Sequence, residues 1–401
     1  MWTSRRKRSA YKIDSAGDAI ATEFSSRTHI VPVDGVRGLA ILAVVLYHGT
    51  PGVVNASGVV LRAVGAVLQM GWLGVDLFFV LSGFLITGIL LDTTSDPHYF
   101  RSFYVRRALR ILPMYYGVLL LLGVLTLPLG IQWHGTVPYF VLYLQNYDAY
   151  DHLTLKSRYV QIHLEHLWSL AIEEQFYLVW PFFVWLLRRR DYFFVVPLAL
   201  VIACPVGRWL YFHPGSLLAP AYLWTPFRAD ALAWGAIAAW LVRQRAHWVK
   251  RASILLMTSG FAVVVAVMLD SARRPDRYEL MFTRFGYSAV GALFCGLILG
   301  TLVPGSMPER VFRNRGLRWL GKYSYGIYIL HYLFVSSYLR VQLYVKDVSG
   351  SKTLGALAYL LCTVLVGTLA AYASYNLYEK WWLRLKDGIA GYTVQRGAQA
   401  S

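Results

Sequence analysis

The sequence predicts an all-α, polytopic integral membrane protein with about ten transmembrane helices. Three observations predict it. Of the 401 residues, 57% are hydrophobic and only 15% charged, with a mean hydropathy of +0.46, whereas soluble domains sit nearer half apolar and about a quarter charged. The apolar residues are also gathered into runs of the length that crosses hydrocarbon, and lipid can accept that many long runs where a soluble core cannot. Finally, Lys and Arg are distributed unevenly between alternate connecting segments.

Ten runs emerge, near 36–55, 67–91, 111–131, 166–187, 192–210, 228–242, 252–269, 283–303, 319–340 and 354–378. The stretch 137–146 (VPYFVLYLQN) is too short to span and reads as re-entrant or interfacial. Residues 1–33 form a basic tail with no apolar stretch of the kind a secretory signal needs. Residues 34–386 form one membrane domain, and 387–401 a second tail. No repeat of solenoid period is present.

An even number of spans places both termini on one side. With that side cytoplasmic, 27 of the 39 Lys and Arg fall in inner segments and eight in outer ones, four more lying near outer helix ends. This is the positive-inside pattern. It accounts for the net charge of +18 without nucleic acid, for which no motif is present. The expected location is the plasma (inner) membrane, with membrane lipids as surroundings. The outer loops Arg273–Arg277 dissent from the charge rule. Cys204, Cys295 and Cys362 each lie in an apolar run without CxxC spacing, so they read as small buried hydrophobes. No metal-ligand spacing appears, and none is expected.

Ionisable residues inside a membrane are costly and mark function. His48, Asp76, Glu173 and His331 come from four different spans. Counting the helical rise from each span's end puts all four at roughly 16–20 Å above the inner face. His48 and Glu173 stand out: an imidazole can act as base, and a carboxylate can fix its tautomer. Each residue could equally be a polar group bridging helices. On the inner side, Arg107 and Arg110 share one face of the third span, and Arg37 lies eleven residues before His48, about 16 Å along the helix. These arginines suit either a positive-inside anchor or the phosphates of an anionic donor such as coenzyme A. Trp72, Trp133, Trp168, Trp224 and Trp319 fall near expected interfaces and read as an aromatic belt. Tyr323, Tyr325 and Tyr328 read as packing residues. The largest outer loop, 132–165, carries His134, Asp148, Asp151, His152 and His163.

Several blocks resemble the acyltransferase 3 family of membrane proteins. DGVRGLAILAVVLYH (Asp34 to His48) resembles its first-helix motif, and GWLGVDLFFVLSGFLIT (Gly71 to Thr87) its second. RRALRILP carries its Arg-x-x-Arg, and HLWSLAIEEQFYLVWP (His166 to Pro181) is similar to its most recognisable block. FRADALAWGAIAAW, with Arg228 and Asp230, YSYGIYILH, ending in His331, and YEKWWLRLK follow in the family's order. The resemblance implies a ten-helix fold and transfer of an acyl group, often acetyl, from cytoplasmic acyl-CoA to a hydroxyl. Cell-envelope glycans, lipid-linked or not, are the expected acceptors. It implies His48 and Glu173 as catalytic residues and Arg37, Arg107 and Arg110 as donor-binding ones. Asp76, His166, Arg228, Asp230 and His331 are supporting candidates. His48 is left open between general base and transient acyl carrier.

Some members of that family carry an extracytoplasmic hydrolase-like domain. The sequence stops about twenty residues after its last expected span, so the expectation is direct transfer or a separate extracytoplasmic transferase partner. A small molecule or lipid as acceptor stays open. A transporter or flippase without acyl transfer also suits mid-membrane charges, but no inverted repeat is present and the ordered blocks oppose it.

Overall fold

The computed structural model describes residues 30–50, 59–148, 153–187, 193–270 and 278–385. Most of the first tail, Arg188 to Arg190, Asp151, His152, the Arg273–Arg277 segment and the C-terminal tail lie outside them. Among the described residues, the regular structure is helical except for one small hairpin. In order come α1 (Val31–His48), α2 (Leu73–Asp92, entered through Val59–Gln69 and the turn Met70–Trp72), α3 (Tyr99–Val124), strands β1 (Thr154–Lys156) and β2 (Gln161–His163), and α4 (Trp168–Leu187). There follow α5 (Val195–Tyr211), α6 (Ala229–Gln244), α7 (Val249–Asp270), α8 (Tyr287–Thr301), α9 (Arg315–Leu330), α10 (Val335–Ser349) and α11 (Lys352–Ser374).

Every expected span is occupied by a helix, but not all are long. Seven described helices have the length and apolarity to cross a membrane. α5 and α6 have 17 and 16 residues. The expected ninth span divides: α9 stops at Leu330, and α10 begins only at Val335. The first helix starts at Val31, slightly inside the expected tail. Segment 137–146 forms the short helix Val137–Val141 and a turn at Gln145–Tyr147, consistent with its being too short to span.

Packing separates central from peripheral helices. The apolar window of α2 is 78% buried, against 22% for α3 and α7. The outer helices present Leu121, Val124, Leu255, Phe261, Leu361 and Leu369 on the surface. Such large apolar patches are stable facing lipid and costly facing water. At the centre, α1 and α9 run parallel and almost touch. Gly38 makes this possible: a Cβ there would lie 1.8 Å from the Leu317 carbonyl oxygen. Because the helices start level and run the same way, His48 at the end of α1 and His331 just past the end of α9 arrive side by side.

Candidate active site

His48 ends α1, and His331 caps α9. His48 Nδ1 lies 2.9 Å from His331 Nε2. His331 is fully buried, and its Nδ1 lies 3.0 Å from the Ile327 oxygen and 2.8 Å from that of Tyr328. Carbonyl oxygens only accept, so His331 Nδ1 carries that ring's proton and Nε2 its lone pair. His48 Nδ1 must then donate, and a neutral His48 keeps its own lone pair on Nε2. A half-buried imidazole is thereby held in one tautomer. Tyr332 packs on it at 4.3 Å between ring centroids.

The expected carboxylate partner of His48 is elsewhere. Glu173 Oε2 accepts from Tyr177 at 2.8 Å, and the Arg107 guanidinium lies 4.0 Å above the Tyr177 ring. Glu173 interacts electrostatically with Arg107 and also with Arg37 and Arg110. Arg37 donates to Asp34 at 3.0 Å. Arg110 feels Arg37 and Arg107 as like charges. The structure therefore brings together the three sequence-predicted arginines and moves Glu173 from the histidine to them. The cause is azimuth. Depth along a helix says nothing about which neighbour a side chain faces, and Glu173 faces α3. Glu174 joins the group through Arg107. Arg107 Nε is buried without a hydrogen-bond acceptor, and Arg110 is exposed. Clustered guanidiniums with spare donors favour a multiply charged anion.

At the same end of α1, a surface cleft is lined by Arg310, Arg313, Asn314 and Arg315. It lies near the start of α1, where Phe312 and Leu317 pack on Gly35 and Gly38. From sequence these arginines are indistinguishable from any positive-inside loop.

Asp76 also lies apart from His48. It pairs with Arg228 at 2.5 Å, while Arg208 pairs with Asp230 at 2.8 Å, all four fully buried. Ser288 links the second pair, accepting from Arg208 at 2.7 Å and donating to Asp230 at 2.5 Å. Arg228 lies 4.2 Å over the Tyr287 ring and 5.2 Å over that of Tyr222. The four residues once placed at one depth thus fall into three centres: His48 with His331, Glu173 with the arginines, and Asp76 with Arg228.

A small cavity lies beside His48. His48, His166, Tyr328, Trp72, Trp168 and Tyr222 are among the residues that line it. His166 Nε2 donates to the Ile329 oxygen at 3.2 Å, so its buried Nδ1 holds a lone pair and has no protein donor. Tyr328 donates to the His166 oxygen at 2.5 Å and meets Ser169 at 2.6 Å. Trp72 and Trp168 are 4% and 5% exposed, so they wall this cavity and are no part of an interfacial belt. Tyr328, read from sequence as packing, faces the same space. Among the described residues, no three His, Cys, Asp or Glu stand together as metal ligands.

Comparison with known proteins points to one family. The Acyl_transf_3 family model, described as an acyltransferase domain, matches residues 30–383. The chain is similar to "Peptidoglycan O-acetyltransferase OatA" of Listeria monocytogenes, 28% identical over 331 residues that cover 78% of this chain and 50% of the relative. It is also similar to "Putative peptidoglycan O-acetyltransferase YrhL" of Bacillus subtilis, 30% identical over 380 residues, 88% of this chain and 54% of the relative. The chain thus spans about half the length of the curated relatives it matches. No solved structure matches. With its motifs in order and nearly its whole described length matched, the chain belongs to the Acyl_transf_3 family of membrane acyltransferases.

Proposed function

We propose that the chain transfers an acyl group, acetyl first among them, from cytoplasmic acyl-CoA to a hydroxyl of a cell-envelope glycan, with His48 as the base. The observation that carries this reading is the His48–His331 pair, which fixes the tautomer of a histidine that lines a cavity. The names of the relatives support a glycan acceptor and an acetyl group.

In this mechanism the phosphates of acyl-CoA engage Arg37, Arg107 and Arg110, with the arginine-lined cleft near the start of α1 as further positive surface. The pantetheine arm follows α1 for about 16 Å from Arg37 to His48. The acceptor hydroxyl gives its proton to His48 Nε2 as its oxygen attacks the thioester carbonyl. The C–S bond then breaks, and the departing thiolate takes the proton back from Nε2. His331 acts as a positioning residue: its lone pair holds His48 Nδ1–H, and the two rings share the charge that His48 gains. Glu173, through Tyr177 and Arg107, organises the donor-binding arginines. A thioester is already activated, so orientation and a base supply most of what is needed.

The test is acetyl transfer in membranes containing the chain and radiolabelled acetyl-CoA. Label should appear on the glycan fraction and be released by mild alkali as an ester. Glycan without label, in membranes that retain the folded chain, would refute the reading and favour transport without acylation.

A further inference from the structure

Beyond the His48 site, a second group of side chains is arranged for nucleophilic chemistry. The hairpin β1–β2 ends at His163, whose backbone N–H donates to the Leu333 oxygen at 3.0 Å. Its ring lies between Glu165 and Ser336. Nδ1 is 2.9 Å from Glu165 Oε1, and Nε2 is 2.5 Å from Ser336 Oγ. A carboxylate only accepts, so Nδ1 carries the ring proton and Nε2 receives the Ser336 hydroxyl proton. The other contact of Ser336, with Gln161 Oε1, is 3.4 Å long and competes weakly.

The surroundings favour a working relay. The side chains of His163 and Glu165 are 15% and 6% exposed, so water screens them little. Glu165 is fixed by the Thr154 hydroxyl, which donates to Oε1, while its buried Oε2 has no hydrogen-bond partner. Ser336 is half-buried beside exposed Gln161, so a reactant can reach it. It is the second residue of the 15-residue helix α10, whose positive end favours charge developing on an attacked carbonyl. A bridge that merely tied the hairpin to α10 would need one histidine contact. Here each ring nitrogen has the partner that a nucleophile–base–carboxylate chain requires.

We propose that Ser336, His163 and Glu165 form a second acyl-accepting site, in which Ser336 takes an acyl group from an ester or thioester. Ser336 Oγ attacks the carbonyl carbon and its proton passes to His163 Nε2. The bond to the leaving alcohol or thiol breaks, and that group takes the proton from Nε2. An acceptor hydroxyl or water then reverses the sequence, and Ser336 recovers its proton. The Tyr332 ring stands 5.6 Å from His163 and 4.3 Å from His48, between centroids. An ester on Ser336 would therefore be a covalent stop between the His48 site and the acceptor. That use rests on the function proposed above, whereas the nucleophile itself does not.

The experiment treats the full chain in detergent micelles with p-nitrophenyl acetate and maps acetylation by mass spectrometry. Ser337, adjacent in sequence, is the internal control. The expected result is acetylation of Ser336 with Ser337 unmodified, and a burst of p-nitrophenol. Ser336→Ala should abolish the burst, and His163→Gln should slow it at least about 10²-fold. Equal modification of both serines, no modification of Ser336, or an undiminished burst in His163→Gln would overturn the proposal. The wild-type pattern decides even if a variant folds poorly. The reagent bypasses acyl-CoA and the arginines, so failure here leaves the His48 reading standing, and failure of that reading leaves this one.

Discussion

Two carbonyl oxygens, of Ile327 and Tyr328, keep a proton on His331 Nδ1, and through it they fix which nitrogen of His48 can receive one. Replacing His331 by Ala should lower kcat by roughly 10–10²-fold, the scale of a loosened base, while KM for acyl-CoA stays level. His331→Gln, whose amide oxygen can accept from His48 Nδ1, should recover part of the loss. Equal kcat in His331→Ala and wild type would remove the positioning role. Arg110→Lys should act in the opposite sense. A point charge replaces a bidentate fork, so KM for acyl-CoA should rise by about tenfold with kcat little changed; an unaltered KM would count against donor binding there. Helical rise marked His48 by its depth and put Arg107 and Arg110 on one face, while the roles proposed for His48 and the three arginines came from the family resemblance. The partner of His48 was not legible. Helical rise gives depth alone, and the choice between Glu173 and His331 depends on how α1, α4 and α9 are turned about their axes. The Ser336–His163–Glu165 group was less legible still, because its members come from a hairpin and a separate helix 173 residues apart.

Helix contacts set these positions, and their closeness can be tested. A Cβ at Gly367 of α11 would lie 2.7 Å from the Cβ of His331. Gly367→Val should therefore displace His331, lowering kcat more than it lowers the amount of inserted protein. Wild-type turnover in that variant would show that His331 tolerates movement. At this scale the sequence located every long apolar helix, since length and hydropathy are local properties. It missed the break between α9 and α10, because apolar residues continue through Tyr332, Leu333 and Phe334 while the helix does not. It also missed the hairpin. Its strands have three residues each, too few for an alternating pattern to show.

Among the described residues, apolar surface faces outward on α3, α7 and α11, and the fully buried charges Asp76, Arg208, Arg228 and Asp230 are paired. The pairs Asp76–Arg228 and Arg208–Asp230 tie α2, α5 and α6 together at the centre. Removing one partner leaves an uncompensated buried charge, so Asp76→Leu should destabilise the fold by about 3–5 kcal/mol. Adding Arg228→Met to it should restore much of the loss, as read by thermal unfolding in detergent. A double variant no more stable than Asp76→Leu would mean that these charges do more than balance each other. Composition and the order of apolar runs and basic residues announced the membrane and the charge asymmetry, but not these internal pairs, because their members are distant in the chain.

The account depends above all on His48 taking the acceptor's proton while the arginines hold the donor. The most direct measurement is single-turnover acetyl transfer by purified His48→Ala, with acetyl-CoA binding measured on the same sample. The account predicts unchanged binding and a transfer rate at least about 10²-fold below wild type. Binding and transfer both at the wild-type level would contradict it.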